Sequence, residues 1–138
     1  MMRSLLVVFL FLVHSLFAQN AHNTALIGNL NYGRFTNDVW GYTDEAGNDY
    51  AIVGLIDGVS VVKVESEQLA EIAFVPGISS VWRDMKTHGH YVYVTNETGK
   101  GLDIIDLSAL PDSVRLAGSY TKSFTTAHNL YIDNGHAY

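Results

Sequence analysis

Apolar residues fall in short runs along this chain, and many of them alternate with polar ones. Tyr91-Val92-Tyr93-Val94 is followed by Thr95-Asn96, and Gly58-Val59-Ser60-Val61-Val62-Lys63-Val64 carries its β-branched residues on both sides of a pleat. Successive side chains of a strand point to opposite faces, so this period of two predicts half-buried strands. The pattern places strands at about 38–43, 50–55, 59–65 and 70–75, and again at about 84–88, 90–95, 102–107 and 114–120. An outer strand is expected at 25–30. Asp57-Gly58, between two apolar runs, predicts a two-residue hairpin because both residue types tolerate positive φ. Asn96 to Gly101 forms the longer hairpin at the matching place. Ser66-Glu67-Gln68-Leu69-Ala70-Glu71 breaks the alternation. Its helix propensity and the N-cap type at Ser66 predict one helical turn, then a strand from about Ala70.

The pattern recurs. Gly58 to Val64 lines up with Gly101 to Leu107 at an offset of 43 residues. Asn37-Asp38-Val39 lines up with Arg83-Asp84-Met85 at 46, and these with His128-Asn129-Leu130 after a further 45. Tyr91-Val92-Tyr93 returns as His136-Ala137-Tyr138 at 45, and Leu26 to Leu30 resembles Leu116 to Tyr120 at 90, two periods away. Four strands per period of roughly 45 residues is the step of a β-propeller blade. The expected fold is therefore all-β: a β-propeller-like array of four-stranded blades, incomplete, with about two and a half blades present. Blades are expected at about 37–80 and 83–122, with a third beginning at about 128. Tyr138 falls inside a strand of this scheme, so the chain reads as the amino-terminal fragment of a longer array. The alternative is a small unit that completes its ring by oligomerising.

The beginning of the chain has another character. Arg3 precedes an unbroken apolar run from Leu5 to Val13, and Leu16-Phe17-Ala18 ends before the polar Gln19. This is the charged start, apolar centre and small-residue end of a secretory signal peptide over 1–18. A short segment, 19–24, then opens the mature chain, which is expected to be secreted or displayed at the cell surface. The run is broken at His14 and is shorter than the ~20 apolar residues of a spanning helix, so no transmembrane segment is expected in the mature chain.

Composition narrows the partners. The 138 residues carry a formal charge of −6, and this acidic balance argues against a nucleic-acid partner. The absence of cysteine excludes disulfides and thiolate metal sites. With 48% apolar and 16% charged residues the chain has the composition of a folded domain.

Candidate chemistry gathers at three polar doublets, Asn37-Asp38, Arg83-Asp84 and His128-Asn129, each opening the first strand of its unit. In a propeller the first strand is innermost, so the doublets are expected near one rim of the central channel. Asp38, Asp84 and Asn129 offer oxygens suited to Ca²⁺ or Mg²⁺. Arg83 has the planar fork that holds a carboxylate or phosphate, and His128 is a proton acceptor near neutral pH. The competing reading is structural: Asp and Asn at strand starts accept from free backbone N–H groups. Trp40 and Trp82 stand beside the doublets, either as a platform for a sugar or peptide or as packing between units. His88 and His90 stand two apart, too few ligands for a metal site, and are expected in an exposed turn. Asn96-Glu97-Thr98 matches the glycosylation acceptor pattern but reads as turn chemistry.

Two sets of residues resemble a known family. Asn37-Asp38-Val39-Trp40-Gly41-Tyr42-Thr43-Asp44, Trp82-Arg83-Asp84-Met85-Lys86 and Ala127-His128-Asn129 resemble the secreted choice-of-anchor B family, and Gly101-Leu102-Asp103-Ile104-Ile105-Asp106-Leu107 resembles the LVIVD repeat such proteins carry. The resemblance covers about residues 25–138; Gly58 to Val64 departs from it by placing Lys63 where Asp106 stands. It implies a propeller-like exported bacterial protein and carries no catalytic residues. The expectation is a non-enzymatic recognition module for a protein or glycan, with no catalytic residue and no cofactor beyond the Ca²⁺ or Mg²⁺ considered above. The alternatives are a metal-assisted hydrolase using Asp38, Asp84 and His128 at the channel mouth, or a purely architectural surface domain.

Overall fold

Alternating apolar residues need a second sheet to bury their inward face, and this chain supplies two sheets in succession. The computed structural model describes residues 23–66 and 68–138; the expected signal peptide at 1–18, the start of the 19–24 segment and Glu67 lie outside the described residues. The first sheet comprises β1 (Thr36–Thr43), β2 (Asp49–Leu55), β3 (Gly58–Glu65) and β4 (Gln68–Pro76). The second comprises β5 (Met85–His88), β6 (Tyr91–Val94), β7 (Leu102–Asp106) and β8 (Arg115–Tyr120). Both are antiparallel meanders, in the orders β1-β2-β3-β4 and β5-β6-β7-β8. A hairpin of β9 (Ile132–Asp133) and β10 (His136–Ala137) follows. The protein is all-β, and its described sheets stay open rather than closing on one another.

Side chains join the two meanders. Tyr50, Ile52, Val59, Val61 and Val75 of the first sheet share one buried cluster with Met85, Val92, Val94, Ile105 and Leu107 of the second. The spacing of two within β2, β3, β6 and β7 is the alternation visible in the sequence, and burial of such residues is the main favourable term of folding. The opening strands of successive units are neighbours, β1 against β5 and β5 against β9. A register shift falls between Val61 and Val62 in the first sheet and between Ile104 and Ile105 in the second.

The structure corrects the sequence reading at three places. No helical turn forms after Ser66: Glu65 pairs with Gln68, and β4 runs from Gln68. Pairing with β3 outweighs a local helix preference of tenths of a kcal/mol per residue. The two-residue turn is Ile56-Asp57, with Leu55 paired to Gly58, so Gly58 belongs to β3. This glycine answers a demand for space: a Cβ there would lie 2.3 Å from the Val75 carbonyl oxygen. Gly101, its aligned partner, would meet the Tyr120 carbonyl oxygen at 2.0 Å and also has φ +68, a backbone that disfavours side chains.

The third correction concerns 25–30, which forms no strand. Alternation makes a segment fit for a sheet, but an unpaired segment gains no ladder of hydrogen bonds. This one lies against the first sheet instead, where a Cβ on Gly28 would come within 3.0 Å of Leu69. The Tyr32 hydroxyl donates to Ser60 Oγ at 2.9 Å.

Candidate functional site

The doublets sit where neighbouring units meet. Register shifts between Thr36 and Val39, so Asn37 and Asp38 occupy a bulge of β1. The Asn37 side chain lies over Gly54, where a Cβ would fall 2.1 Å from Asn37 Oδ1, and glycine makes that approach possible. Asn37 Oδ1 accepts from the Asp38 amide at 2.9 Å, and Asn37 Nδ2 donates to the Val81 carbonyl at 3.4 Å.

The two aspartates converge on β5 and beyond. The Met85 amide donates to Asp84 Oδ1 at 3.0 Å and to Asp38 Oδ2 at 3.4 Å. Asp84 Oδ2 accepts from the Leu130 amide at 2.6 Å. Each aspartate thus receives an N–H from the unit after its own. Lys86, two residues beyond Asp84, donates to Asp84 Oδ1 and to the Met85 carbonyl, the latter at 3.0 Å. Its ammonium also stands 4.4 Å from the centre of the Trp40 ring. Burial pushes the Asp84 carboxyl up, but the Lys86 ammonium and the Leu130 amide outweigh it and hold the group below the ordinary carboxylate value.

The tryptophans reach forward in the same sense. Trp40 Nε1 donates to Thr87 Oγ1 at 3.1 Å, and Trp82 Nε1 donates to the His128 carbonyl at 2.8 Å. The Trp82 and His128 rings stack with centres 4.7 Å apart and planes 5° from parallel. His128 Nδ1 lies 2.5 Å from Glu97 Oε1 on the β6–β7 loop.

Arg83 has a different fate from the rim residue expected. It is buried, and it donates to the Leu55 carbonyl at 2.9 Å, the Ile56 carbonyl at 3.4 Å and the Ile78 carbonyl. Burial lowers its affinity for the proton, while the Asp103 and Asp57 carboxylates favour its charge. Its fork is committed to carbonyls around the β2–β3 turn and in the β4–β5 connection.

The structure therefore sorts the candidates into three places. Trp40 and Asp84 meet at Lys86, and Asp38 reaches the neighbouring Met85 amide; Asp84, Lys86 and Asn129 line an open cavity of about 410 Å³. Trp82 and His128 form a second cluster with Glu97, and Arg83 lies in the interior. Lys86 and Glu97 escaped the sequence reading. Lys86 was within reach of it, since a residue two after Asp84 shares its face; Glu97 lies on a loop without periodicity. Among the described residues no three histidines, cysteines or acids are placed to hold a metal ion. Lys86 supplies the positive charge beside Asp84.

The remaining motifs serve local structure. Asp106 is buried, accepts from the Ser108 amide at 2.9 Å and from Arg115 at 2.5 Å, and is held below the ordinary carboxylate value chiefly by Ser108. Lys63, in its aligned place, pairs with Glu65 at 2.8 Å. Asn96 is buried and accepts from the Thr98 and Gly99 amides at 2.9 Å each, which closes the β6–β7 loop. His88 ends β5 and His90 lies in the following turn, both exposed. No family model, curated protein or solved structure matches this chain.

Proposed function

We propose that the chain belongs to an exported β-propeller-type array, of the kind the choice-of-anchor B resemblance implies, acting as a non-enzymatic recognition module. The observation that carries the reading is the recurrence of one joint. Asp38 receives the Met85 amide as Asp84 receives the Leu130 amide, and each tryptophan bonds the following unit. Aligned register shifts in the two sheets support the same repeat. Residues offered for hydrolysis are spent in these joints, with Asp84 tied to two amides and Lys86.

The recognition surface is the cavity at the joint. Asp84, Lys86 and Asn129 bring polar groups to it, and Tyr131, 63% exposed, brings an aromatic face. Aromatic rings beside hydrogen-bonding groups suit a glycan or a peptide segment of a surface protein. The test is a glycan and surface-protein binding screen on the exported chain, with calorimetry against Ca²⁺ and Mg²⁺ and a panel of hydrolase substrates. Saturable binding without turnover, weakened about tenfold by Tyr131→Ala, is the expected result. Metal-dependent turnover lost in Asp84→Asn would overturn the reading in favour of the hydrolase.

A further inference from the structure

We propose that a cavity between the first two sheets, beside the β1–β2 loop, receives a lysine or arginine side chain of a partner protein. The cavity, of about 240 Å³, lies at the other end of β1 from the Asp38 contact to Met85, and every residue lining it belongs to the two four-stranded sheets or their connections. Part of the lining is apolar: Leu107 is buried in the core shared by the sheets, and Leu110 packs against that core. Tyr42, from the end of β1, and His90, from the β5–β6 turn, add aromatic surface. Asp44 and Glu45, on the β1–β2 loop, bring negative charge, and among the described residues no lysine or arginine lines the cavity. Arg115, in β8, is spent on the buried Asp106 at 2.5 Å.

The two carboxylates are placed differently. Asp44 Oδ1 accepts from the amides of Ala46 at 3.0 Å and Asn48 at 2.8 Å, and Asp44 Oδ2 accepts from Asn48 Nδ2 at 2.9 Å and from the Tyr50 hydroxyl at 3.0 Å. These bonds, those from Asn48 foremost, hold the carboxyl below the ordinary carboxylate value, so it is charged. They also fill its acceptor sites, which leaves Asp44 to act through its charge. Glu45 is exposed and makes no ion pair among the described residues. Both charges are felt inside the cavity, where, after burial, they push the Tyr42 hydroxyl up.

This lining selects the kind of cation. A hard metal ion wants about six oxygens, and here Asp44 is filled and Glu45 is one carboxylate. A lysine or arginine side chain carries its charge on an apolar stem. The stem matches Leu107 and Leu110, and the charged head matches the Tyr42 ring and the Glu45 carboxylate. The same charges repel a carboxylate or a phosphate.

The test is an amide NMR titration of the exported chain with Nα-acetyl-lysine amide and Nα-acetyl-arginine amide, with the neutral diacetyl-lysine amide as control. Saturable shifts at Ala46, Ser108 and Leu110, with a Kd of about a millimolar for ligands this small, are expected from the two cations only. Glu45→Gln should weaken binding about tenfold. Ala46→Lys, which brings an ammonium of the chain's own to the lining, should abolish it. Both positions are exposed, and circular dichroism confirms that the variants fold. No saturable shift at these amides, equal shifts with the neutral probe, or unchanged binding in Ala46→Lys overturns the proposal. Saturation by Ca²⁺ with no response to either amine overturns it in favour of a metal site. The cavity is separate from the one lined by Asp84, Lys86 and Tyr131: glycan binding kept without amine binding sinks this inference alone, and amine binding without a glycan or peptide at the other cavity sinks only the earlier reading.

Discussion

The joint between the first and second sheets and the joint between the second sheet and the β9–β10 hairpin use one polar device in two settings. Both place an aspartate under a backbone amide of the following unit and a tryptophan N–H on a group there. The first joint adds a ten-residue buried cluster and a buried Arg83 that braces three carbonyls, at the end of β2, in the β2–β3 turn and in the β4–β5 connection. In the second joint the aligned residue is His128, exposed and paired with Glu97. The polar device sets how units meet, and the depth of apolar cover sets how firmly they are held. The Asp84 contact to the Leu130 amide is 2.6 Å, against 3.4 Å for Asp38 to the Met85 amide, which Asp84 Oδ1 also accepts from.

That contrast can be broken most sharply at its aligned pair. Arg83→Ala strips the donor from three carbonyls and should cost about 4 kcal/mol of stability in urea unfolding. His128→Ala removes an exposed pair and a ring stack and should cost about 1 kcal/mol or less. Equal losses would mean that the two joints bear similar load.

A smaller effect separates the apolar contributions. Met85→Ala, in the filled core, should cost about 3 kcal/mol, whereas Leu130→Ala, beside an open cavity, should cost about 1–2 kcal/mol. Thermal melts of the two variants check the order.

Smallest is Asp84→Asn, expected to cost about 1–2 kcal/mol and to lower hydrogen-exchange protection of the Leu130 amide. The effect carries a sign with pH. The folded-state carboxyl titrates below its ordinary value of 3.8, so its contribution is complete above that value and lost as pH falls through the folded value. Acidification below about pH 4 should therefore loosen the hairpin in the native chain and change Asp84→Asn much less. An identical acid response in both would remove Asp84 as the clamp.

Much of this fold is legible in the residues themselves. The expected strands at 50–55, 59–65, 90–95 and 102–107 correspond to β2, β3, β6 and β7, which lie inside their sheets. Their β-branched residues face a core on alternate positions, so local pattern and tertiary demand agree. The misreadings lie at edges and connections. Ser66 to Glu71 carries a helical preference that the pairing of Glu65 with Gln68 overrides. Leu26 to Leu30 has the right alternation and no strand to pair with. Asp57-Gly58 has turn residues, but the turn shifts by one because Gly58 must pass close to the Val75 carbonyl.

The candidate site divides in the same way. The doublets stood out because their spacing recurs and both tryptophans because they lie beside doublets, and those residues do meet where the successive sheets and the hairpin join. Their roles were not legible, because an aspartate beside a strand has the same sequence signature whether it awaits a cation or an amide. Arg83 shows this most clearly, since nothing in its neighbours predicts that its fork turns inward to Leu55, Ile56 and Ile78. Sequence alone determined the class of structure, because alternation and turn chemistry act between residues close in sequence. Only the tertiary structure decided which polar groups were spent and on which partners. Those outcomes depend on groups some 28 to 47 residues apart arriving within hydrogen-bonding distance, where packing and desolvation choose the partner.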